Sequence, residues 1–221
     1  MNRREFIKVG GAGLFTLFLS GCGLSMLSGK NDENAKAAAV SEGENMKIVV
    51  ITGSPHRNGT SALLADKFIE GAQSAGHEVF RFDAAFEDIH PCLGCDRCGM
   101  DGDCIQNDAI LQTLMPQLLQ ADLIALVTPV YFFAMTAQIK TIVDRFYSRT
   151  GRLHNKKSVL LTAAGSNTDL TMMAITDHYN TLVRYMEWND MGRILAPGCP
   201  TREAIEKTDF PDKAYQLGAN L

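Results

Sequence analysis

Four cysteines lie close together near the middle of the chain, and their spacing suits metal chemistry. They follow the pattern C-x2-C-x2-C-x5-C. Two residues between thiols is the gap that a tight loop needs to direct successive sulfurs at one centre, and four thiolates can hold an iron–sulfur cluster or a zinc ion. A cluster would imply that the protein moves electrons. The four residues are Cys92, Cys95, Cys98 and Cys104.

A second candidate site follows the first predicted strand. Residues 53–61 read Gly-Ser-Pro-His-Arg-Asn-Gly-Thr-Ser and lead directly into a predicted helix. Hydroxyls and backbone N–H groups at a helix N-terminus can surround a phosphate. The segment lacks the Gly-Lys-Ser/Thr ending of a nucleotide-hydrolysing P-loop and the G-x-G-x-x-G of dinucleotide sites. It therefore indicates either another kind of phosphate loop or an ordinary helix cap.

A third candidate site follows the third predicted strand, at residues 128–136. The sequence Thr-Pro-Val-Tyr-Phe-Phe-Ala-Met-Thr places three consecutive aromatic residues beside backbone that no regular element covers. Such a segment suits a flat heterocycle, through stacking and main-chain hydrogen bonds. A purely structural role is the alternative, although three consecutive rings cannot all point into a core.

The elements that position these segments alternate between strand and helix. Short β-branched runs bounded by turn residues are typical of buried parallel strands. The alternation predicts a doubly wound α/β fold with five parallel strands in the order 2-1-3-4-5 and a cysteine-rich insert after strand two. Strands are predicted at 47–52, 78–82, 122–128, 157–163 and 191–196, and helices at 60–75, 108–119, 136–148 and 169–187.

In this topology the segments after strands one and three lie side by side at the carboxyl edge of the sheet. This is the switch point, where ligands of open α/β sheets bind. The formal net charge of −4, without a basic stripe, disfavours nucleic-acid binding. The sequence contains no Ser-His-Asp signature or nucleophile elbow, and we predict no catalytic acid, base or nucleophile.

The N-terminus resembles a bacterial export signal. Arg3 and Arg4 precede an apolar stretch that is too short to span a bilayer as a mature helix, and Leu-Ser-Gly before Cys22 resembles a lipobox. We expect a lipid anchor that holds the protein on the outer face of the cytoplasmic membrane or in the periplasm; an uncleaved anchor helix is the alternative. The predicted divisions are an export signal at 1–21, a flexible tether at 22–45 and one folded domain at 46–221.

Taken in order, the phosphate loop, the cysteines and the motif P-V-Y-F-x-x-M-T-A-x-x-K-x-x-x-D-R at 129–145 resemble the flavodoxin-like family of NADPH-dependent FMN reductases. Within that family the sequence is similar to the iron–sulfur flavoproteins, and the resemblance is strong over residues 46–165. It implies a flavodoxin-like fold, FMN, one [4Fe–4S] cluster on the four cysteines and a homodimer with FMN near the subunit interface. The FMN contacts that it implies are Ser54, His56, Asn58, Thr60, Ser61, Pro129, Val130, Tyr131, Phe132 and Gly165.

Some positions depart from the family pattern or allow a simpler interpretation. The family commonly has Arg where His56 stands, and we expect Arg57 to compensate from the next position. We interpret Lys140, Asp144 and Arg145, which also match the family, as a helix-face ion pair that orients its helix.

The cysteine spacing leaves three occupants open. It differs from that of bacterial ferredoxins, which have x3 before the last Cys and Pro after it. Structural zinc usually has two C-x2-C knuckles separated by a longer span. Unligated thiols or, in an oxidising compartment, Cys92–Cys98 or Cys95–Cys104 disulfides are a further alternative.

These observations predict an FMN-dependent oxidoreductase linked to NAD(P)H or quinones, with the cluster passing electrons to or from the flavin. NAD(P)H is largely cytoplasmic, so an exported protein would need another donor, such as a quinol or a membrane redox complex. One alternative function is a non-catalytic electron carrier that serves a membrane redox chain. Another is a cluster-free FMN reductase with zinc or disulfides in the cysteine loop.

Overall fold

The computed structural model describes residues 45–221. The predicted signal and all but the last residue of the predicted tether lie outside this range. None of the helices within it is long and apolar enough to cross a membrane. The elements are β1 (Lys47–Thr52), α1 (Thr60–Ser74), β2 (Glu78–Asp83), α2 (Met115–Gln120), β3 (Leu123–Pro129), α3 (Ala137–Arg145), α4 (Thr150–Leu153), β4 (Lys157–Ala163), α5 (Met173–Tyr185), β5 (Asn189–Ala196), α6 (Arg202–Ile205) and α7 (Phe210–Ala219).

The strands form one parallel sheet in the order β2-β1-β3-β4-β5. Successive side chains of β1 pack into different cores: Val49 and Ile51 on one face of the sheet, Ile48 and Val50 on the other. A strand buried on both faces must be apolar throughout, which is why these strands are continuous apolar runs. The predicted fold class and strand order are confirmed.

Helices cover both faces of the sheet. Helices α1 and α7 contribute to one core, and α2, α3 and α5 contribute to the other. Helices α1 and α7 pack closely because glycines lie where they meet. A Cβ on Gly71 would lie 2.0 Å from the carbonyl oxygen of Tyr215, and one on Gly218 would lie 2.2 Å from that of Phe68.

Three predicted helices differ in detail. The helix predicted at 108–119 begins as a π-helical turn at Ile110–Leu114 and continues as α2. Pro116 lies in the first turn of α2, directly after the π-helical turn. The helix predicted at 136–148 is α-helical only to Arg145 and then tightens into a 3₁₀ turn. The helix predicted at 169–187 begins only at Met173.

Candidate functional site

The carboxyl edge of the sheet holds a cavity of about 610 Å³. It lies where the strand order reverses between β1 and β3, as the topology predicts. We call it the flavin cavity. Eight of the expected FMN contacts line it: Ser54, His56, Asn58, Thr60, Pro129, Val130, Tyr131 and Gly165.

One end of the flavin cavity suits an anion. Gly59 caps α1 without a side chain, so no side-chain bond occupies the first-turn amides of this helix. Ser61 does not line the cavity itself, but its hydroxyl is buried in the same turn and has no hydrogen-bond partner among the described residues. A buried hydroxyl without a partner costs free energy that a ligand oxygen could recover. This end of the cavity therefore fits the phosphate of FMN.

The cations near this end are arranged differently from our expectation. Arg57 lines the cavity, but its guanidinium lies over the ring of Phe86, with Cζ 3.7 Å from the ring centroid. A second arginine, Arg202 at the start of α6, lines the same cavity and pairs with Glu206 at 2.8 Å. Both guanidiniums are thus held by neighbours at the edge of the cavity.

The segment that contains Arg202 was missed by sequence reasoning. Cys199, Pro200 and Thr201 also line the cavity. Cys199 is buried, and burial raises the pKa of its thiol. The sheet topology could have indicated this segment, because β5 is parallel to the other strands and ends at the same edge of the sheet.

The aromatic segment after β3 forms a tight hairpin. The backbone N–H of Tyr131 donates to the carbonyl of Ala134 at 3.0 Å, and the reverse bond is 3.1 Å. The two turn residues, Phe132 and Phe133, have φ values of 46° and 68°. Bulky residues rarely adopt this conformation, which costs about 1–3 kcal/mol each. Phe132 is 99% exposed and does not line the flavin cavity, whereas Tyr131 does.

Direct bonds hold the two sides of the flavin cavity together. The hydroxyl of Thr136 donates to the carbonyl of Gly53 at 3.0 Å, and the N–H of Thr136 donates to the hydroxyl of Thr128 at 3.0 Å. A Cβ on Gly53 would lie 2.3 Å from the Thr136 hydroxyl. Only glycine therefore allows the two segments to approach this closely.

The four cysteines line a second pocket, with a volume of about 400 Å³. Its wall also includes the apolar side chains of Leu93 and Ile105 and the ring of Tyr147. All four thiols are free, and the N–H of Gly94 donates to the Cys92 sulfur at 3.4 Å. We call this space the cysteine pocket.

Zinc and a [4Fe–4S] cluster place different demands on the four cysteines of the cysteine pocket. Within residues 45–221, no three His, Cys, Asp or Glu side chains are arranged to hold a single ion. Zinc requires its ligands to converge on one point, whereas the four thiolates of a [4Fe–4S] cluster surround a larger body and bind different irons. The cysteine pocket brings together the four residues whose thiolates a [4Fe–4S] cluster would need.

Behind the cysteine pocket lies a buried ion pair. Arg145 donates to both carboxylate oxygens of Asp108, at 2.7 and 3.2 Å. Burial raises the pKa of Asp108, but the bonds from Arg145 and from two backbone N–H groups outweigh it, and the pKa lies below its ordinary value. The expected helix-face pair joins Lys140 and Asp144, as predicted. For Arg145 that interpretation is wrong, because its side chain is buried against the cysteine insert.

Comparison with known proteins agrees with this geometry. The chain matches the NADPH-dependent FMN reductase family over residues 46–197. The chain belongs to this family.

Two relatives are archaeal proteins named iron-sulfur flavoprotein. The chain is 34% identical over 100 residues to one from Archaeoglobus fulgidus, covering 45% of each chain. It is 33% identical over 100 residues to one from Methanocaldococcus jannaschii, covering 45% of this chain and 51% of the relative. The chain thus spans about half the length of these curated relatives.

Among solved structures, an NAD(P)H:quinone oxidoreductase from Methanothermobacter marburgensis superposes with a TM-score of 0.63. Its sequence identity is 18%, and the match covers 80% of this chain and 97% of the other. At this identity the likeness establishes the fold.

Proposed function

We propose that the protein is an FMN-dependent oxidoreductase that carries a [4Fe–4S] cluster and exchanges electrons with NAD(P)H, a quinone or a redox protein. The observation that carries the proposal is the flavin cavity. A single space joins an anion-binding helix terminus to an aromatic and proline-lined wall. An elongated ligand with a phosphate at one end and a flat ring system at the other fits this combination.

Within the flavin cavity the residues have separate roles. The first-turn amides of α1, with Ser54, Thr60 and Ser61, bind the phosphate. Pro129 and Tyr131 bind the ring system and exclude water from one side of it. FMN, when bound, supplies two-electron and one-electron chemistry, so the protein needs to position and tune it rather than to act as acid or base.

The cluster proposal rests on the cysteine pocket. Four free thiols surround one space with apolar walls, and one sulfur already accepts a backbone hydrogen bond. Hydrogen bonds to sulfur and limited exposure are the means by which proteins set cluster potentials. The names of the archaeal relatives support the same assignment.

The location outside the cytoplasm remains part of the proposal and rests on Arg3, Arg4 and Cys22. An exported protein would receive electrons from a quinol or a membrane complex rather than from NAD(P)H.

We also propose that two copies pair through the aromatic hairpin, because Phe132 is 99% exposed beside the flavin cavity. A ring held in water in a strained conformation is better explained by a partner that covers it.

A second candidate function is an electron carrier without turnover of its own. The exposed apolar rim of the cysteine pocket favours it, because Leu93 is 65% exposed and Ile105 is 49% exposed. Such a rim suits docking of a redox protein.

Stopped-flow reduction of the FMN-loaded protein separates these functions. Rapid bleaching of the flavin by NAD(P)H or a quinol, with turnover on a quinone, supports the enzyme. Bleaching only by a redox protein supports the carrier. A purified full-length chain that neither retains nor binds FMN would contradict both.

A further inference from the structure

The cysteine loop, residues 91–107, is held along its length by one short segment of the chain. We call residues 145–150, which end α3 and form the following turn, the anchor segment. At the two ends of the cysteine loop, the guanidinium of Arg145 donates to the carbonyl of His90 at 2.9 Å and to that of Gln106 at 3.3 Å. One side chain therefore gathers both ends of the loop, while the pair with Asp108 fixes the position of the guanidinium.

The middle of the loop is held in the same way. The hydroxyl of Tyr147 donates to the carboxylate of Asp96 at 2.6 Å, and the N–H of Thr150 donates to the carbonyl of Met100 at 3.1 Å. Arg149 forms an ion pair with Asp103. Each of the four cysteines lies within two residues of one of these anchored positions.

Two anchored positions are also strained. Asp96 and Met100 have φ values of 56° and 67°, in the left-handed region that non-glycine residues rarely adopt. Such strain persists only where the surrounding structure imposes it. The Tyr147 and Thr150 bonds act directly on these two residues.

We infer that the anchor segment, through Arg145 and Tyr147, preforms the cysteine loop, so that the four thiols already surround the pocket before any cluster is present. Arg145 and Tyr147 are then positioning residues: they hold the backbone that carries the cysteines. The inference rests on the proposed function only for the identity of the group that the pocket binds, a [4Fe–4S] cluster. The preformed state itself is a property of the cluster-free protein.

Hydrogen exchange on the FMN-loaded, chelator-treated full chain tests the inference. The reporting amides are those of Gly99, Asp101 and Gly102, which donate to loop carbonyls. Arg145→Lys keeps a positive charge opposite Asp108 but loses the planar fork that reaches both carbonyls. Tyr147→Phe removes only the hydroxyl from a side chain that is 40% exposed, so the fold should survive it.

We expect loop exchange to become about tenfold faster or more in Arg145→Lys and about threefold faster in Tyr147→Phe. Amides of β1 and β4 and the affinity for FMN should stay unchanged. The matched control is Tyr185→Phe, at another exposed tyrosine outside the anchor segment, which should exchange like the parent.

Unchanged loop exchange in Tyr147→Phe and in a folded Arg145→Lys would overturn the inference. So would a parent loop that exchanges as fast as an unstructured peptide. The iron content of the untreated parent reports on the proposed function separately. A protected loop in a protein that never acquires iron would contradict the cluster assignment but not the role of the anchor segment. An unprotected loop in a protein that acquires iron would contradict the role of the anchor segment but not the cluster assignment.

Discussion

Arg145 and Asp108, 37 residues apart in sequence, form a bidentate ion pair whose side chains are each only 2% exposed. Removing two charges from water is costly, and the attraction offsets that cost only when the geometry is good and further hydrogen bonds are made. Here the carboxylate also accepts bonds from the N–H groups of His90 and Leu111, and the guanidinium binds two loop carbonyls. The pair thereby connects the end of α3 to both ends of the cysteine loop.

The first prediction concerns the pH dependence of stability. The pKa of Asp108 is lower in the folded protein than in the unfolded chain, where it is about 4. The contribution of the Asp108 carboxylate to the free energy of unfolding is therefore fully present above about pH 4. It is lost as the pH falls through the lower pKa of the folded protein. Asp108→Asn should reduce the free energy of unfolding at neutral pH by about 3–5 kcal/mol. The difference from the parent should shrink below about pH 4.

Denaturant unfolding at several pH values measures this difference. Asp66→Asn is the control, because Asp66 pairs with Arg81 at the surface and its side chain is 48% exposed. Its loss should cost about 1 kcal/mol or less. Equal losses in the two variants would contradict a special role for the buried pair.

The second prediction concerns Ser61, whose buried hydroxyl lacks a partner among the described residues. Ser61→Ala should stabilise the FMN-free protein, because it removes an unsatisfied buried group. The same change should weaken FMN binding by about 1.5–3 kcal/mol, because a hydrogen bond to a charged phosphate is lost. Riboflavin, which has no phosphate, should bind both proteins equally.

Flavin fluorescence titration and thermal unfolding report these two effects. Ser74→Ala is the control, since the Ser74 hydroxyl at the far end of α1 bonds the carbonyl of Gly71. Loss of riboflavin and FMN affinity together would mean that Ser61 shapes the cavity rather than binding the phosphate.

The third prediction separates charge from ion pairing at Arg202. Arg202→Gln and Glu206→Gln break the same pair, but only the first removes a cation that lines the flavin cavity. We expect Arg202→Gln to lower FMN affinity about threefold to tenfold and to weaken its salt dependence. Glu206→Gln should leave FMN affinity unchanged or raise it. Equal losses in both variants would assign the effect to the pair and not to the phosphate.

The fourth prediction concerns the aromatic hairpin. If two copies pair around Phe132 through a twofold axis, each copy contributes one Phe132 ring to the interface. Phe132→Ser then removes two buried rings from the dimer. At about 1.5–3 kcal/mol per ring, the dimer dissociation constant should rise on the order of a hundredfold or more. Sedimentation equilibrium measures this constant, with Tyr185→Ser as a control at an exposed aromatic outside the hairpin. A monomeric parent would refute the pairing outright.

The sequence predicted the fold well because local patterns encode it. Lys47–Thr52 and Lys157–Ala163 appear at their predicted bounds, since a parallel strand buried on both faces is a continuous apolar run. The positions of the β1 and β3 segments at one edge followed from the topology alone.

Other features depend on contacts that no local pattern encodes. The partner of Arg145 is distant in sequence, so the helix-face interpretation was the simpler one. Phe132 and Phe133 form a hairpin turn with left-handed backbone, and the sequence there lacks the Gly or Asn that would predict such a turn. Arg202 lines the flavin cavity because α6 packs beside α1, a contact between elements distant in sequence.

The most direct test is the cofactor content of the full chain purified without oxygen. We predict about one FMN, four irons and four acid-labile sulfides per chain. Cys95→Ser should lose the iron and keep the FMN, since the flavin cavity and the cysteine pocket have separate linings. Fewer than about two irons per parent chain would contradict the [4Fe–4S] cluster, whose four irons bind four thiolates; absence of flavin would contradict the account as a whole.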